Sequence, residues 1–139
     1  NGAPLDRIQV IKGWVEDGKQ HQRVRDVVCS SGRLPNADGR CPATTASVDV
    51  ESCELKGDEG AAQLQQTFTD PDFSPVQNAF YYVRVLENPT CRWTTLLANS
   101  ANEDLPADVP ATEQERGWSS PIWLNAVDKD LSGAVVSAQ

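Results

Sequence analysis

The stretch from Ala79 to Glu87, AFYYVRVLE, constrains the fold most, because it concentrates aromatic and β-branched residues in one short run. Such residues fit a pleated, half-buried surface. Asn88 and Pro89 follow directly and end the run, which is short for an independent helix. Neither of its two faces is purely polar, which indicates burial on both sides. We therefore predict that this stretch is the central strand of an all-β domain.

Other stretches of the chain also show strand patterns. An opening hairpin is indicated by Asp17-Gly18, a dipeptide typical of tight turns. A short helix is the alternative for residues 61–69, but strands on both sides favour a strand. Six to seven short strands separated by turn signals predict an Ig-like antiparallel β-sandwich with long disulfide-pinned loops. The predicted strands are residues 5–15, 20–29, 45–53, 61–69, 79–87 and 112–124.

The connections between these strands are rich in polar residues and proline. Residues 88–95 are predicted to form a rigid crossing that precedes the apolar pair Leu96-Leu97, and residues 99–111 to form a long surface loop. Ser119-Ser120-Pro121 interrupts the last strand and predicts a sheet edge or a bulge there.

The length of the chain, 139 residues, suits one domain. We assign residues 1–127 to the β-sandwich domain and residues 128–139 to a C-terminal tail of small residues. No charged, apolar and small-residue signal segment opens the chain. The start, Asn1-Gly2-Ala3-Pro4, is therefore expected to be an internal cut in a longer protein.

Charge and hydropathy weigh against several classes of partner. The net charge is −8, from 12 basic and 20 acidic residues. A nucleic-acid partner needs a basic surface, and so does an anionic membrane. No run of residues approaches the ~20 apolar residues of a membrane span. We expect neither nucleic acid nor a membrane span, and no cofactor.

The cysteines predict disulfide bonds. Four are present with long gaps between them, and His21 is the single histidine, whereas zinc sites usually use closely spaced Cys or His pairs. Two disulfides in an oxidising compartment are the better interpretation, and the protein is expected to be exported. Three pairings are open from the sequence. We favour Cys29–Cys41, which would pin a polar loop, and Cys53–Cys91, which would join two strand ends.

No recognised catalytic motif is present, so we predict that this chain alone is not an enzyme. The acidic pairs Asp70/Asp72 and Glu113/Glu115 are interpreted as solvated surface groups. The functional candidates are instead aromatic and basic groups, because arginine can stack on indole and fork to carboxylates. These groups either pack inside the sandwich and hold it together, or they form a surface that docks another domain or binds a sugar. The candidate docking residues are Arg92, Trp93, Arg116, Trp118 and Trp123.

Three long phrases resemble a known family. LDRIQVIKGW, DPDFSPVQNAFYYVRVLENPTCRWTT and QERGWSSPIW are similar to the C-terminal end of bacterial proteins grouped as domain of unknown function 3604. The resemblance covers residues 5–124. It implies a longer, exported protein whose N-terminal part resembles metal-dependent hydrolases of the polymerase-and-histidinol-phosphatase (PHP) type, with its metal ligands in that part. No metal or catalytic residue is carried over to this chain.

These observations lead to two functional hypotheses. The first is a non-catalytic accessory β-sandwich that packs against the N-terminal catalytic part of the same protein. The alternative is a module that binds a carbohydrate or a cell surface through exposed aromatic residues. Exposed tryptophans favour a binding or docking role, whereas buried tryptophans favour internal packing.

Overall fold

The computed structural model describes residues 2–127 and shows a mostly β protein with one short helix. The tail predicted for residues 128–139 lies outside the described residues. The elements in chain order are strands β1 (Leu5–Glu16), β2 (Lys19–Cys29), β3 (Ser47–Val48), β4 (Leu55–Lys56), β5 (Ala79–Glu87) and β6 (Thr90–Cys91), helix α1 (Trp93–Ala101), and strands β7 (Thr112–Glu113), β8 (Arg116–Trp118) and β9 (Ile122–Leu124).

The main sheet is antiparallel and has the order β2-β1-β5-β8, with β9 pairing with β5 beside β8. Strand β5 therefore lies inside the sheet, which confirms the predicted central strand. The other strands form two small sheets, β3 with β4 and β6 with β7. The all-β antiparallel class is confirmed apart from α1, and the Ig-like sandwich of six to seven strands stays a prediction.

The opening hairpin forms at the predicted turn. Asp17 has a φ of 50° and Gly18 a φ of 71°, which a two-residue hairpin loop with two left-handed positions requires. Register is set from there, with Glu16 opposite Lys19 and Trp14 opposite His21.

The edge of the main sheet contains the predicted bulge. Strand β8 pairs with residues 84–86 of β5 and β9 with residues 79–81, so residues 119–121 face only Tyr82 and Val83. The extra residue is accommodated by Ser119, whose Oγ accepts the Val83 N–H at 2.9 Å. The Ser119 N–H in turn donates to the Val83 carbonyl at 3.0 Å. The proline thus lies where no ladder hydrogen bond needs its missing N–H.

A second bulge inserts Asp6 into β1 and buries it. The pairing with β5 passes from Leu5–Glu87 to Arg7–Leu86, which leaves Asp6 without an opposite residue. Its carboxylate is fully buried. Arg33 Nη2 donates to it at 2.5 Å, and Arg7 and the Gln114 amide also donate to it. Asp6 therefore joins β1 to the loop after β2 and to the segment between β7 and β8.

Both disulfides have the favoured pairing. Cys29 is bonded to Cys41 with a Cα–Cα distance of 5.8 Å, and Cys53 to Cys91 with 5.6 Å. The first closes the polar loop after β2, as expected. The second joins the turn after β3 to β6.

Several local predictions are wrong. Residues 61–69 form no strand, and only Ala61 bridges to Leu5. The strand predicted over residues 45–53 shortens to β3, because Asp49 turns the chain by accepting backbone N–H groups from Glu51 and Ser52. Helix α1 occupies part of the predicted crossing and of the predicted 99–111 loop. It ends at Asn102, whose φ of 54° provides a left-handed cap.

The two faces of the main sheet differ. Cross-strand partners share a face, so Ile11 with Tyr82, Gly13 with Phe80, and Phe80 with Trp123 define one face, which we call the aromatic face. The other face carries Lys12 opposite Tyr81, and the segment 61–78 contacts it. Burial on both sides of β5 is only partial, because Val83 is exposed.

Candidate functional site

The predicted docking residues lie on two parts of the molecule. Arg92 and Trp93 are at the start of α1, whereas Arg116, Trp118 and Trp123 are on the edge strands β8 and β9. The exposed fractions of Trp93, Trp118 and Trp123 are 65%, 61% and 70%. These three indoles therefore do not form the interior. Arg92 lies 3.9 Å from Glu113, so one of the predicted solvated acids has an arginine neighbour.

The aromatic face carries a groove at the end of the sheet near the β1–β2 turn. Its volume is about 880 Å³. The rings of Phe80 and Trp123 are 5.3 Å apart between centroids and tilted by 49°. Phe80 and Tyr82 are 6.3 Å apart and nearly parallel. Three aromatic rings thus follow one another along this side of the groove.

Gly13 shapes the floor of the groove. A Cβ at this position would overlap the ring of Phe80, so only glycine lets the ring lie across β1. Gly13 is buried beneath that ring although it has no side chain. An aromatic ring that covers a strand glycine in this way restores packing that the glycine lacks. Phe80 belongs to the predicted central strand, but neither residue was predicted to form part of a site, and only the cross-strand register brings them together.

Amide side chains form most of the polar part of the groove, and His21, whose ring stacks on Trp14, also lines it. Gln20, Gln22 and Asn125 line it, and their side chains form no hydrogen bond with any residue in the 2–127 range. Asn78 also lines it, and its Oδ1 accepts the Ala126 N–H at 2.7 Å, which holds the chain after β9 in place. Within the described part of the chain, no Asp, Glu, Lys or Arg lines the groove.

Beyond Tyr82 the same face becomes polar and internally paired. Gln9 lies between Asp26 and Arg84 on three neighbouring strands, with its amide donating to Asp26 at 2.5 Å and accepting from Arg84 at 2.7 Å. Asp26 also accepts the Cys41 N–H at 2.7 Å. This row connects the sheet to the Cys29–Cys41 loop and satisfies its own polar groups.

Helix α1 presents a second exposed apolar surface. Trp93, Leu96 and Leu97 have the i, i+3, i+4 spacing of one helix face and are all exposed. We call these three residues the α1 stripe. The rest of the helix is anchored, since the buried Thr95 donates to the Ala111 carbonyl at 2.7 Å and Asn99 donates to the Val50 carbonyl at 2.8 Å. This i, i+3, i+4 spacing is the sequence signal that could have indicated the helix. Arg92 makes no side-chain cap that would mark its start.

On the opposite face of the main sheet, charged groups pair with one another. Lys12 donates to Asp70 at 2.9 Å and to the Asp72 carbonyl at 2.7 Å, and the Tyr81 hydroxyl donates to Asp70 at 2.8 Å. Arg25 donates to the Asp72 carboxylate at 2.8 Å, and Arg23 also pairs with it. Asp70 is therefore a largely buried ion-pair partner and not the solvated group predicted. Asp72 is more exposed but is likewise paired.

The pKa values of this cluster shift in the directions that pairing dictates. Burial acts to lower the pKa of Lys12, but its hydrogen bonds to Asp70 and Tyr81 outweigh burial and raise it. Burial acts to raise the pKa of Asp70, but the Lys12, Tyr81 and backbone donors outweigh it and lower it. Burial, together with donation to Asp70, raises the pKa of Tyr81. Near neutral pH Lys12 and Tyr81 thus stay protonated and Asp70 stays ionised. In these states the three groups hold the 61–78 segment on the sheet.

Residues 2–127 contain no group of three or more His, Cys, Asp or Glu side chains arranged to hold a metal ion. The helix in this part of the chain falls short of the length and apolar character that crossing a bilayer requires.

Comparison with known proteins identifies the domain. A family described as "Protein of unknown function (DUF3604)" has a model that matches residues 1–126. No curated protein and no solved structure matches the chain. The match spans both disulfides, the groove and the α1 stripe, and it agrees with the resemblance seen in the sequence phrases. The chain therefore belongs to the DUF3604 family of proteins of unknown function.

Proposed function

We propose that this chain is a non-catalytic accessory domain of an exported protein whose other part is a metal-dependent hydrolase of the PHP type. The three sequence phrases support that context, because the N-terminal part of the proteins they resemble is similar to such hydrolases. Membership of the family supports the identity of the domain and assigns no reaction to it. The role of the domain is to dock onto the hydrolase part and stabilise it.

The two disulfides support export. Disulfides persist in oxidising environments and are rare where glutathione keeps thiols reduced. All four cysteines are paired, and the sulfurs of Cys29 and Cys91 belong to buried residues. A protein that folds with these bonds is expected in the periplasm, on the outer surface or in the medium.

The α1 stripe is the observation that carries the docking role. Trp93, Leu96 and Leu97 place three large apolar side chains side by side on a helix whose other residues are anchored. Contiguous exposed apolar surface marks interaction sites, and tryptophan is among the residues most enriched where binding energy concentrates. Arg92 and Glu113 lie next to the stripe and supply a polar rim. Such a surface suits a permanent partner within the same polypeptide.

Hydrogen exchange tests the docking role. Amides of α1 are compared between the 139-residue chain and the longer polypeptide that contains it, and we expect slower exchange in the longer polypeptide because docking covers the helix. The double substitution Trp93→Ser/Leu97→Ser should remove that protection without lowering the stability of the 139-residue chain. Leu34→Ser is the matched control, since Leu34 is also a highly exposed apolar residue but lies outside α1.

Equal exchange of α1 in both polypeptides would contradict docking through this helix. The non-catalytic assignment has a separate test. We expect metal-dependent hydrolysis of phosphoester substrates by the longer polypeptide and none by the 139-residue chain. Hydrolysis by the 139-residue chain that survives controls for contaminating enzymes would show that the domain is itself an enzyme.

A further inference from the structure

We propose that the groove on the aromatic face binds a neutral carbohydrate. This site lies on the main sheet and uses none of the α1 stripe, so it goes beyond the docking role. Three properties of the groove point to such a ligand, namely its aromatic rings, its unpaired amides and its lack of Asp, Glu, Lys and Arg side chains.

The aromatic rings suit the apolar faces of sugar rings. Trp123 lies on an edge strand with 70% of its surface exposed, although its ring contacts Phe80 on one side. The face of an aromatic ring carries negative charge density, which attracts the weakly positive C–H groups of a pyranose. Tyr82 extends the same row of rings, so successive sugar residues could contact successive aromatic groups.

The amides suit hydroxyl groups. An amide side chain offers both donors and an acceptor, and so does each sugar hydroxyl. Gln20 and Gln22 point to the same face of β2 because they are two residues apart, and Asn125 lies across the groove beyond β9. None of these three side chains has a hydrogen-bond partner among residues 2–127. They are therefore available to a ligand that brings its own donors and acceptors.

The electrostatics select a neutral ligand. The described lining contains no Lys or Arg to pair with a phosphate, sulfate or carboxylate, and the ring of its one histidine, His21, is stacked on Trp14. The chain as a whole carries a net charge of −8, which repels anionic glycans. The volume of about 880 Å³ falls within the roughly 300–1,000 Å³ of small-ligand sites and leaves room for a short oligosaccharide.

A purely apolar occupant fits less well. An apolar helix or strand laid in the groove would cover the amides of Gln20 and Gln22 and leave them without hydrogen bonds. An unpaired buried amide costs roughly 1–3 kcal/mol. A polyhydroxylated ligand covers the same rings and satisfies the amides at the same time.

Titration of the 139-residue chain with neutral tetrasaccharides tests the proposal. Cellotetraose, xylotetraose, maltotetraose, mannotetraose and chitotetraose are added separately, and tryptophan fluorescence and calorimetry report binding. We expect binding of at least one of them. Trp123→Ala should weaken that binding roughly tenfold, which is what the loss of one aromatic contact amounts to. Gln22→Ala should weaken the same binding by a smaller factor.

Trp118→Ala is the matched control. Trp118 is a similarly exposed tryptophan of the neighbouring edge strand but does not line the groove. We expect it to leave sugar binding unchanged. Equal loss of binding in Trp118→Ala and Trp123→Ala would overturn the site, and so would the absence of binding to every tetrasaccharide.

Two further outcomes would assign the groove to another occupant. Acrylamide quenching of the wild type, compared with that of Trp123→Ala, measures whether the Trp123 indole is open to solvent in the free chain. A shielded indole in the monomer would mean that the chain covers its own groove. Dimerisation that Trp123→Ala abolishes, without sugar binding, would mean that a second copy covers it. Either result would overturn the proposal.

Discussion

The ammonium group of Lys12 lies 2.9 Å from the carboxylate of Asp70, and only 7% and 10% of these side chains are exposed. The two residues are 58 positions apart, so this pair fastens the segment 61–78 to β1. The ring of Tyr81 lies 5.6 Å from the same ammonium group and its hydroxyl donates to the same carboxylate. The neighbouring pairs of Arg23 and Arg25 with Asp72 extend the attachment outward.

Replacing Lys12 with methionine should lower the free energy of unfolding by about 3 kcal/mol, because a buried carboxylate would lose its counter-ion. Urea unfolding followed by circular dichroism measures the loss. The double variant Lys12→Met/Asp70→Asn should recover part of it, since no unpaired charge would remain. Lys56→Met is the control, because 61% of the Lys56 side chain is exposed, so solvent screening should make its pair with Asp49 contribute less than the Lys12 pair. Similar losses in Lys12→Met and Lys56→Met would show that burial of the Lys12 pair does not matter.

Stability should fall in acid below about pH 4, near the ordinary pKa of aspartate. Hydrogen bonds from Arg25 and Arg23 lower the pKa of Asp72, and the Lys56 hydrogen bond lowers that of Asp49 to about 2. The pKa of Asp70 is also lowered. A carboxylate whose pKa is lower in the folded state stabilises the fold above its unfolded pKa, and this contribution is lost as the pH falls through the folded pKa.

Urea midpoints measured between pH 7 and pH 2 test this dependence. Asp70→Asn/Asp72→Asn should be less stable than the wild type at pH 7 and should lose less further stability in acid. If the urea midpoint falls equally steeply with acid in the wild type and the double variant, Asp70 and Asp72 are not the source of the acid sensitivity.

Arg33→Met should destabilise the fold by about 3 kcal/mol, because it removes the largely buried guanidinium group that pairs with the fully buried Asp6 carboxylate. Arg40→Met provides the comparison. Arg40 lies 4.0 Å from Asp26 and about half of its side chain is exposed, so its removal should have a small effect. Thermal unfolding of the two variants gives the difference directly. Equal melting temperatures would mean that Arg7 and Gln114 satisfy Asp6 without Arg33.

The two disulfides should contribute unequally. Cys29–Cys41 closes a separation of 12 residues and Cys53–Cys91 one of 38. In the chain-entropy account, removing them costs about 3 and about 4 kcal/mol, respectively. Unfolding of Cys29→Ser/Cys41→Ser and of Cys53→Ser/Cys91→Ser, each under oxidising conditions, tests the order. A larger loss for the shorter loop would indicate that the polar loop depends on its disulfide for native contacts as well.

Gly13→Ala should destabilise the protein by about 1–2 kcal/mol, because the new methyl group would overlap the ring of Phe80. The second variant, Gly13→Ala/Phe80→Leu, should lose less than the two single substitutions combined, since leucine leaves room for the methyl group. Urea unfolding measures all three variants. Additive losses would show that the ring of Phe80 does not rest on Gly13.

Local pattern was sufficient for a large part of this fold. The density of aromatic and β-branched residues identified β5, and Asp17-Gly18 identified the hairpin, because strand propensity and turn chemistry act over a few residues. Ser119-Ser120-Pro121 located the edge bulge, since proline cannot donate to a ladder. The polar composition of the loop between Cys29 and Cys41 favoured the observed disulfide, because a loop with little to pack needs a bond to pin it. The candidate tryptophans were also recognisable, although the strand predicted over residues 112–124 divides into β7, β8 and β9, and the helix that carries Trp93 was not predicted.

Tertiary structure alone decided the features that depend on distant partners. The burial of Asp70 requires Lys12 from another strand, and the burial of Asp6 requires Arg33 and Gln114. The groove exists because cross-strand register sets Phe80 against Gly13. Residues 61–69 have an alternating pattern but no strand beside them to pair with, so they pack as an irregular segment. Periodicity describes what a stretch can form, whereas register and long-range pairing decide which of those forms has a partner.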